Sequence, residues 1–461
     1  MVRSLVTRAA LALIVGSLAS AKLAAQQVAT TVQLPTFGVA IDAEGVLAWK
    51  TFEDPGGRLR TERIAAAHGA LPVDQAAWSE LRKVSLVRLE RAVRHELDAG
   101  RLPDAAMQHL AGLQRLQYVF FYPESRDIVI AGPAEGWALD GAGRPVGLTT
   151  GRPVLELQDL IVALRAYPPG SRTKPFIGCT IDPPQEGLVR LRKFQQTVPK
   201  VIPAARRAET AVRVARGMEE SLGLAEVRVF TISPQTHFAQ VLIEADYRMK
   251  LIGIGREPPP VRLATFLSAL SGPRDSVLAR WWFTPNYDCV RVTEDRLAME
   301  LVGQGVQLLA EDKRVGPDGE LSAGAPPGKA SEAFTTDFTN HYAEIAARSP
   351  VYAQMRNLID LLVAAAYLRQ QGFHERADWT MKTFLDEDAL PVEIHPSPKK
   401  APCVAVSLWK GNRLLTPAGG GVSIRADLAL ESERLLADEN GALAARRGAT
   451  HPPAEDTWWW D

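Results

Sequence analysis

The sequence predicts an α+β protein: several mostly antiparallel sheet segments and hairpins with packed helices, in more than one domain. Hairpin signatures recur along the chain, and apolar stripes at helical spacing stand between them. At 461 residues the chain also exceeds the ~100–200 residues of one domain. The expected organisation is a signal peptide at 1–25, an N-terminal α+β region with hairpins and two helices at 26–150, and a central α/β region ending in a β-meander at 151–320. A linker at 321–329, a helical pair plus β-hairpin at 330–445, and a Pro- and Trp-rich tail at 446–461 complete it.

The opening carries Arg3 and Arg8, an apolar run from Ala9 to Ala19, and small residues through Ala25. That order is a basic region, a short apolar core and a cleavage zone, as in an export signal. The run is too short for a comfortable membrane span. Export would place the mature chain in the periplasm or outside the cell, without a transmembrane segment.

FGVAIDAEGVLAWKTF (37–52) alternates around Ala43-Glu44-Gly45, which predicts a hairpin. A helix is expected near Trp78–Leu97, with Leu86, Leu89, Val93 and Leu97 on one face, and a second over Pro103–Leu116. QYVFFYPESRDIVIAG (117–132) reads as another hairpin. In the middle, Leu155–Tyr167 predicts a helix, KPFIGCTI (174–181) a strand, and Gln185–Phe194 a helix opened by prolines. Glu209–Leu222 is the clearest helix, with Gly223 placed to terminate it. EVRVFTIS and FAQVLIEA read as strands; Asp246–Ile254 fits helix or strand, with helix preferred. From Arg280 the pattern becomes a meander. Ala330–Gln371 predicts long helix broken near Ser349-Pro350, with Val351, Met355, Leu358 and Leu362 as a stripe that must be covered. The stretch from Cys403 to Ile424 predicts a hairpin turning at Lys410-Gly411-Asn412, with a bulge or tight turn at Gly419–Gly421.

Composition excludes some functions. The 53 basic and 53 acidic residues cancel, so no basic field is available for nucleic acid. Cys179, Cys289 and Cys403 are far apart, and buried thiols are favoured over a disulfide. No two of the eight histidines are three to five residues apart, and no C-x-x-C occurs. The expectation is no metal site and no cofactor, although spacing cannot address a site assembled from distant segments. The glycines of LIGIGREP and PAGGGVSI do not form a phosphate loop. No G-x-S-x-G elbow is present, and the S-x-x-K matches at Ser171 and Ser397 lie in loop sequence.

Cys179 ends an apolar strand before a turn and helix start, where a thiol can be activated. His237, with Asp182 or Asp246, could supply a base and its orienting acid. A packed strand cysteine and a turn-forming Asp182 are the plainer reading. On a helix, Asp246 with Lys250 and Glu244 with Arg248 would be i, i+4 ion pairs, leaving only His237 unexplained. Trp281 and Trp282 should face opposite sides of a strand. Trp458, Trp459 and Trp460 either fold back onto the body or anchor a partner, with fold-back favoured.

ETAVRVARGMEESLG, THFAQVLIEADYRMKLIGIG, RWWFTPNYDCVRVTED, AMELVGQGV, RSPVYAQMRNLIDLLVAAAY, LWKGNRLLTPAGGGVSI and the final WWWD resemble a secreted planctomycete family catalogued as domain of unknown function 1598. The resemblance runs from about Asp127 to Asp461. It implies an exported protein and transfers no reaction, ligand or catalytic residue. The functional expectation is therefore a non-enzymatic binding or scaffolding protein of the cell envelope, with an unknown protein or envelope component as partner. Its contact features would be the tryptophan tail and the Val351–Leu362 stripe. The alternative is an exported hydrolase using Cys179 with His237.

Overall fold

Two mixed sheets and the helices between them organise the chain. The computed structural model describes residues 36–461 except position 55 and segments 200–202, 271–276, 316–317, 319, 323–325, 408–414 and 454–456. The expected signal peptide and the expected turn at Lys410-Gly411-Asn412 lie outside the described residues. Those described belong to one compact unit, Pro35–Asp461. The architecture is α+β, and among the described residues no helix is long and apolar enough to cross a membrane.

The first hairpin forms as expected, with Thr36–Ile41 antiparallel to Leu47–Phe52. Asp42 Oδ1 accepts from the amides of Glu44 and Val46, and Gly45 supplies the positive φ of 77° that closes the turn.

The seven-stranded sheet runs Leu436–Ala437, Val290–Val292, Ala298–Leu301, Tyr118–Tyr122, Asp127–Ala134, Ser79–Ser85, Trp459–Trp460. Its centre is the expected hairpin Tyr118–Tyr122/Asp127–Ala134. The helix expected over Trp78–Leu97 is a strand followed by a helix: only Leu86–Asp98 is helical. Ser85 decides the boundary, since its side chain accepts from the Arg88 amide and caps the helix there. The helix expected over Pro103–Leu116 shrinks to Ala105–Gln108 and a 3₁₀ turn at Leu110–Gly112. The chain must swing there, because Gly112 lies so close to Glu135 that a Cβ would sit 2.1 Å from its carbonyl oxygen.

The nine-stranded sheet runs Leu321–Ser322, Lys313–Val315, Val277–Pro285, Leu415–Ile424, Ile177–Asp182, Leu224–Phe230, Lys400–Pro402. Val306–Ala310 also pairs with Val277–Pro285, and Val404–Ser407 with Leu415–Ile424. Gly419–Gly421 do not form a turn. They lie inside the Leu415–Ile424 strand, parallel to Val277–Pro285 and antiparallel to Ile177–Asp182. Gly420 has φ +116°, and a Cβ on it would fall 2.0 Å from the Trp281 carbonyl oxygen. The expected meander is split: Val290–Val292 and Ala298–Leu301 cross to the seven-stranded sheet. Trp281 is fully buried, while Trp282 turns to the other face, where Arg280 stacks on its ring.

The helices at Gln185–Thr197 and Arg207–Leu222 form as expected, the second stopping at Gly223 with φ 73°. The 330–371 stretch resolves into Lys329–Asn340, Tyr342–Arg348 and Pro350–Gln370, with Pro350 opening the last. Val351, Met355, Leu358 and Leu362 are all buried within the chain, so this stripe is core and not a contact surface. The segment read as a strand, FAQVLIEA, belongs to the helix His237–Gly253. Every residue of that helix except His237 and Gln240 is buried. It lies over the strands Ile177–Asp182 and Leu415–Ile424 and against the Pro350–Gln370 helix, which also packs on Leu157–Ala166.

Candidate functional site

Three helix starts converge beneath the loop that carries His395. Leu157–Ala166 brings Glu156 and Asp159, His237–Gly253 brings His237 as its first residue, and Pro350–Gln370 brings Gln354. Thr236 caps the second helix by accepting from the Ala239 amide at 3.2 Å, which fixes where His237 leaves the backbone. Glu156 occupies the N-cap position of its helix without capping it. Its carboxylate is thus free to turn inward, where Oε2 accepts from Gln158 Nε2 at 2.7 Å and Oε1 stands 3.4 Å from His237 Nε2.

His237 Nδ1 lies 2.8 Å from Asp159 Oδ2, and His237 Nε2 lies 3.4 Å from Gln354 Nε2. Burial alone would lower the imidazole's proton affinity, but the Asp159 and Glu156 carboxylates outweigh it and lift the pKa to about 9. The two carboxylates thus favour the imidazolium form of the ring held between them. The His395 ring stands 5.7 Å away, tied down by its amide to Gln235 O. Burial and then repulsion from His237 push its pKa down. Asp159 Oδ1, Gln354 Oε1 and His395 Nε2 are buried without a hydrogen-bond partner.

The other residues singled out from sequence lie elsewhere. Cys179 is completely buried in its strand, and desolvation holds its thiol well above the usual range. Its charged neighbours are Asp246, Lys250 and Asp182. His237 precedes Asp246 by nine helical residues, about 13 Å along the axis at ~1.5 Å per residue. The structure therefore does not bring Cys179 and His237 together. Asp182 is bound to Arg280 at 2.7 Å and accepts from the Gly420 amide. Asp246 pairs with Lys250 at 2.7 Å, and the ammonium also donates to Ile181 O at 2.9 Å. Burial lifts Asp246 to about 6 against the pull of Lys250. Glu244 and Arg248 form the other expected i, i+4 pair at 3.1 Å, extended by Glu257 at 2.8 Å from Arg248. Both pairs are buried, not laid on a wet face. All three cysteines are free and buried.

The tryptophan tail folds back. Trp459 and Trp460 pair antiparallel with Val84 and Lys83, and the Ser85 amide donates to Trp458 O at 2.9 Å. The buried Arg82 guanidinium grips Asp461 with two bonds and stacks 4.7 Å over the Trp459 ring. The three indoles remain half-buried and line an open depression of about 440 Å³ with Asp74, Thr457 and Asp461.

Residues 179–266 match the family described as Protein of unknown function (DUF1598). The matched segment holds Cys179, the His237 helix and the ion pairs on it, and it is shorter than the span over which the sequence motifs suggested resemblance. No curated protein and no solved structure matches the chain.

Proposed function

We propose that the protein is exported to the periplasm or the cell exterior and acts as a non-enzymatic binding or scaffolding protein of the cell envelope. The observation that carries the reading is the tryptophan strand. Among the described residues Trp459–Trp460 form the outermost strand of the seven-stranded sheet, and the three half-buried indoles line a depression beside it. Tryptophan combines large apolar area with few rotatable bonds and is enriched where partners bind. A sheet edge can accept an extended segment of another chain. The partner that fits is an envelope protein presenting such a segment with apolar side chains. The basic, apolar and small-residue order of residues 1–25 supports export, and the buried, proton-holding Cys179 supports a role without a thiol nucleophile.

The test is fractionation of cells producing the full chain. Wild-type protein should begin at Gln26 by intact mass and remain with the envelope. Trp460→Ala, checked for an unchanged melting temperature, should shift to the soluble exported fraction. Equal retention of the variant, or a cytoplasmic chain that keeps residues 1–25, contradicts the proposal.

A further inference from the structure

We infer that Glu156, His237 and Gln354 form a site for a divalent first-row transition-metal ion, with Asp159 as the positioning residue that orients His237. Glu156, Asp159 and His237 each offer a ligand atom, and these atoms lie within 4.8 Å of one another. Two ligands bound at ~2.0–2.1 Å to one tetrahedral ion stand about 3.4 Å apart. Glu156 Oε1 and His237 Nε2 have that separation, 3.4 Å, and the Gln354 amide reaches the same nitrogen at 3.4 Å.

A second observation points to a ligand. Gln354 is 4% exposed, its amide is directed at His237 Nε2, and its Oε1 has no hydrogen-bond partner. A half-turn of the amide exchanges its nitrogen and oxygen, which brings the unpaired oxygen toward the ion position. Asp159 Oδ2 holds Nδ1 at 2.8 Å, the arrangement by which a carboxylate fixes the tautomer and aim of a metal-binding imidazole. Binding would replace the Nε2 proton of His237 by the metal and release that proton to solvent, while the Nδ1 proton stays on the ring and is donated to Asp159 Oδ2. One imidazole nitrogen and two oxygens, with water completing the shell, suit zinc, cobalt or manganese better than a soft ion. Because the ligands come from positions 156, 237 and 354, no local pair of histidines or cysteines announces the site.

The experiment uses the full chain, stripped with chelator and loaded with Zn²⁺ or Co²⁺. One equivalent should bind, with a cobalt spectrum of low coordination number and an X-ray absorption shell of one imidazole plus oxygens. His237→Gln and Glu156→Gln should weaken Zn²⁺ at least about 100-fold, since each removes one of few ligands. Asp159→Asn should weaken it ~10–100-fold without changing the ligand count. His341→Gln, at a separate half-exposed position, should leave binding unchanged. Failure of the wild-type chain to take up one equivalent, a sulfur-containing shell, or undiminished binding by folded His237→Gln overturns the inference. If His237→Gln does not fold, the wild-type stoichiometry and absorption shell decide it alone.

Discussion

Arg82 and Asp461, 379 positions apart in sequence, are joined by two parallel hydrogen bonds of 2.9 Å each. Arg82 is fully buried and also donates to Ala111 O at 2.7 Å and Asp74 O at 2.9 Å, so one side chain ties three segments to the last strand. Arg82→Ala should cost about 3 kcal/mol, since it leaves buried carbonyl oxygens unsatisfied. Asp461→Ala should cost only about 1 kcal/mol, because its side chain is 43% exposed and screened. Urea denaturation of both variants checks the order; a larger loss for Asp461→Ala would contradict it.

His237 predicts a loss of stability on the alkaline side. Its folded pKa of about 9 lies above the ordinary 6.5, so its contribution is complete below pH 6.5 and disappears as pH rises through 9. In chelator-treated protein the fall should be on the order of 1–3 kcal/mol between those limits. Asp159→Asn should flatten it. Parallel curves for the two proteins would show that the carboxylate does not stabilise the imidazolium.

His374 predicts the opposite slope. Its ring is buried beside Trp379 with both nitrogens unpaired, and desolvation lowers its pKa to about 4. A depressed folded pKa gives stability that is present above 6.5 and lost as pH falls through 4. The group should remove up to about 3 kcal/mol by pH 4. His374→Phe, compared by thermal melts from pH 7 to 4, should lose visibly less than wild type.

Gly420 carries a steric prediction. With φ +116° and the Trp281 carbonyl oxygen 2.0 Å from where a Cβ would stand, alanine must force the two central strands apart. Gly420→Ala should cost at least about 3 kcal/mol, from backbone strain and overpacking together. A melting temperature within a degree of wild type would refute this contact.

Hairpins and one-sided helices were legible in the sequence because their periodicity survives. Phe120 and Phe121 alternate between two buried clusters, and Met218 and Leu222 lie on the buried face of their helix. Half of the His237 helix reads as strand, because it is buried on nearly every face and a helix without a wet side loses its 3.6-residue signal. The strand at Ser79–Ser85 merges in the sequence with the following helix, since buried Arg82 reads as a surface residue. For the site, His237 stands out in the sequence because the i, i+4 pairs of its stretch leave it unexplained. Asp159 and Glu156 do not stand out, because pairing across 78 positions leaves no local spacing. The one available signal was the placement of both acids at a helix start, where the dipole favours carboxylates.

The reading of a binding protein depends on the thiol and imidazole serving packing and pairing in separate places. Alkylation of Cys179 in the native wild-type chain and in His237→Gln, followed by mass spectrometry across pH 6–9, tests this most directly. The expected result is modification no faster than each protein's own global unfolding permits, so that the loss of His237 never slows it. Rapid modification of the folded chain, slowed by the loss of His237, would contradict it and restore the nucleophile–base pair.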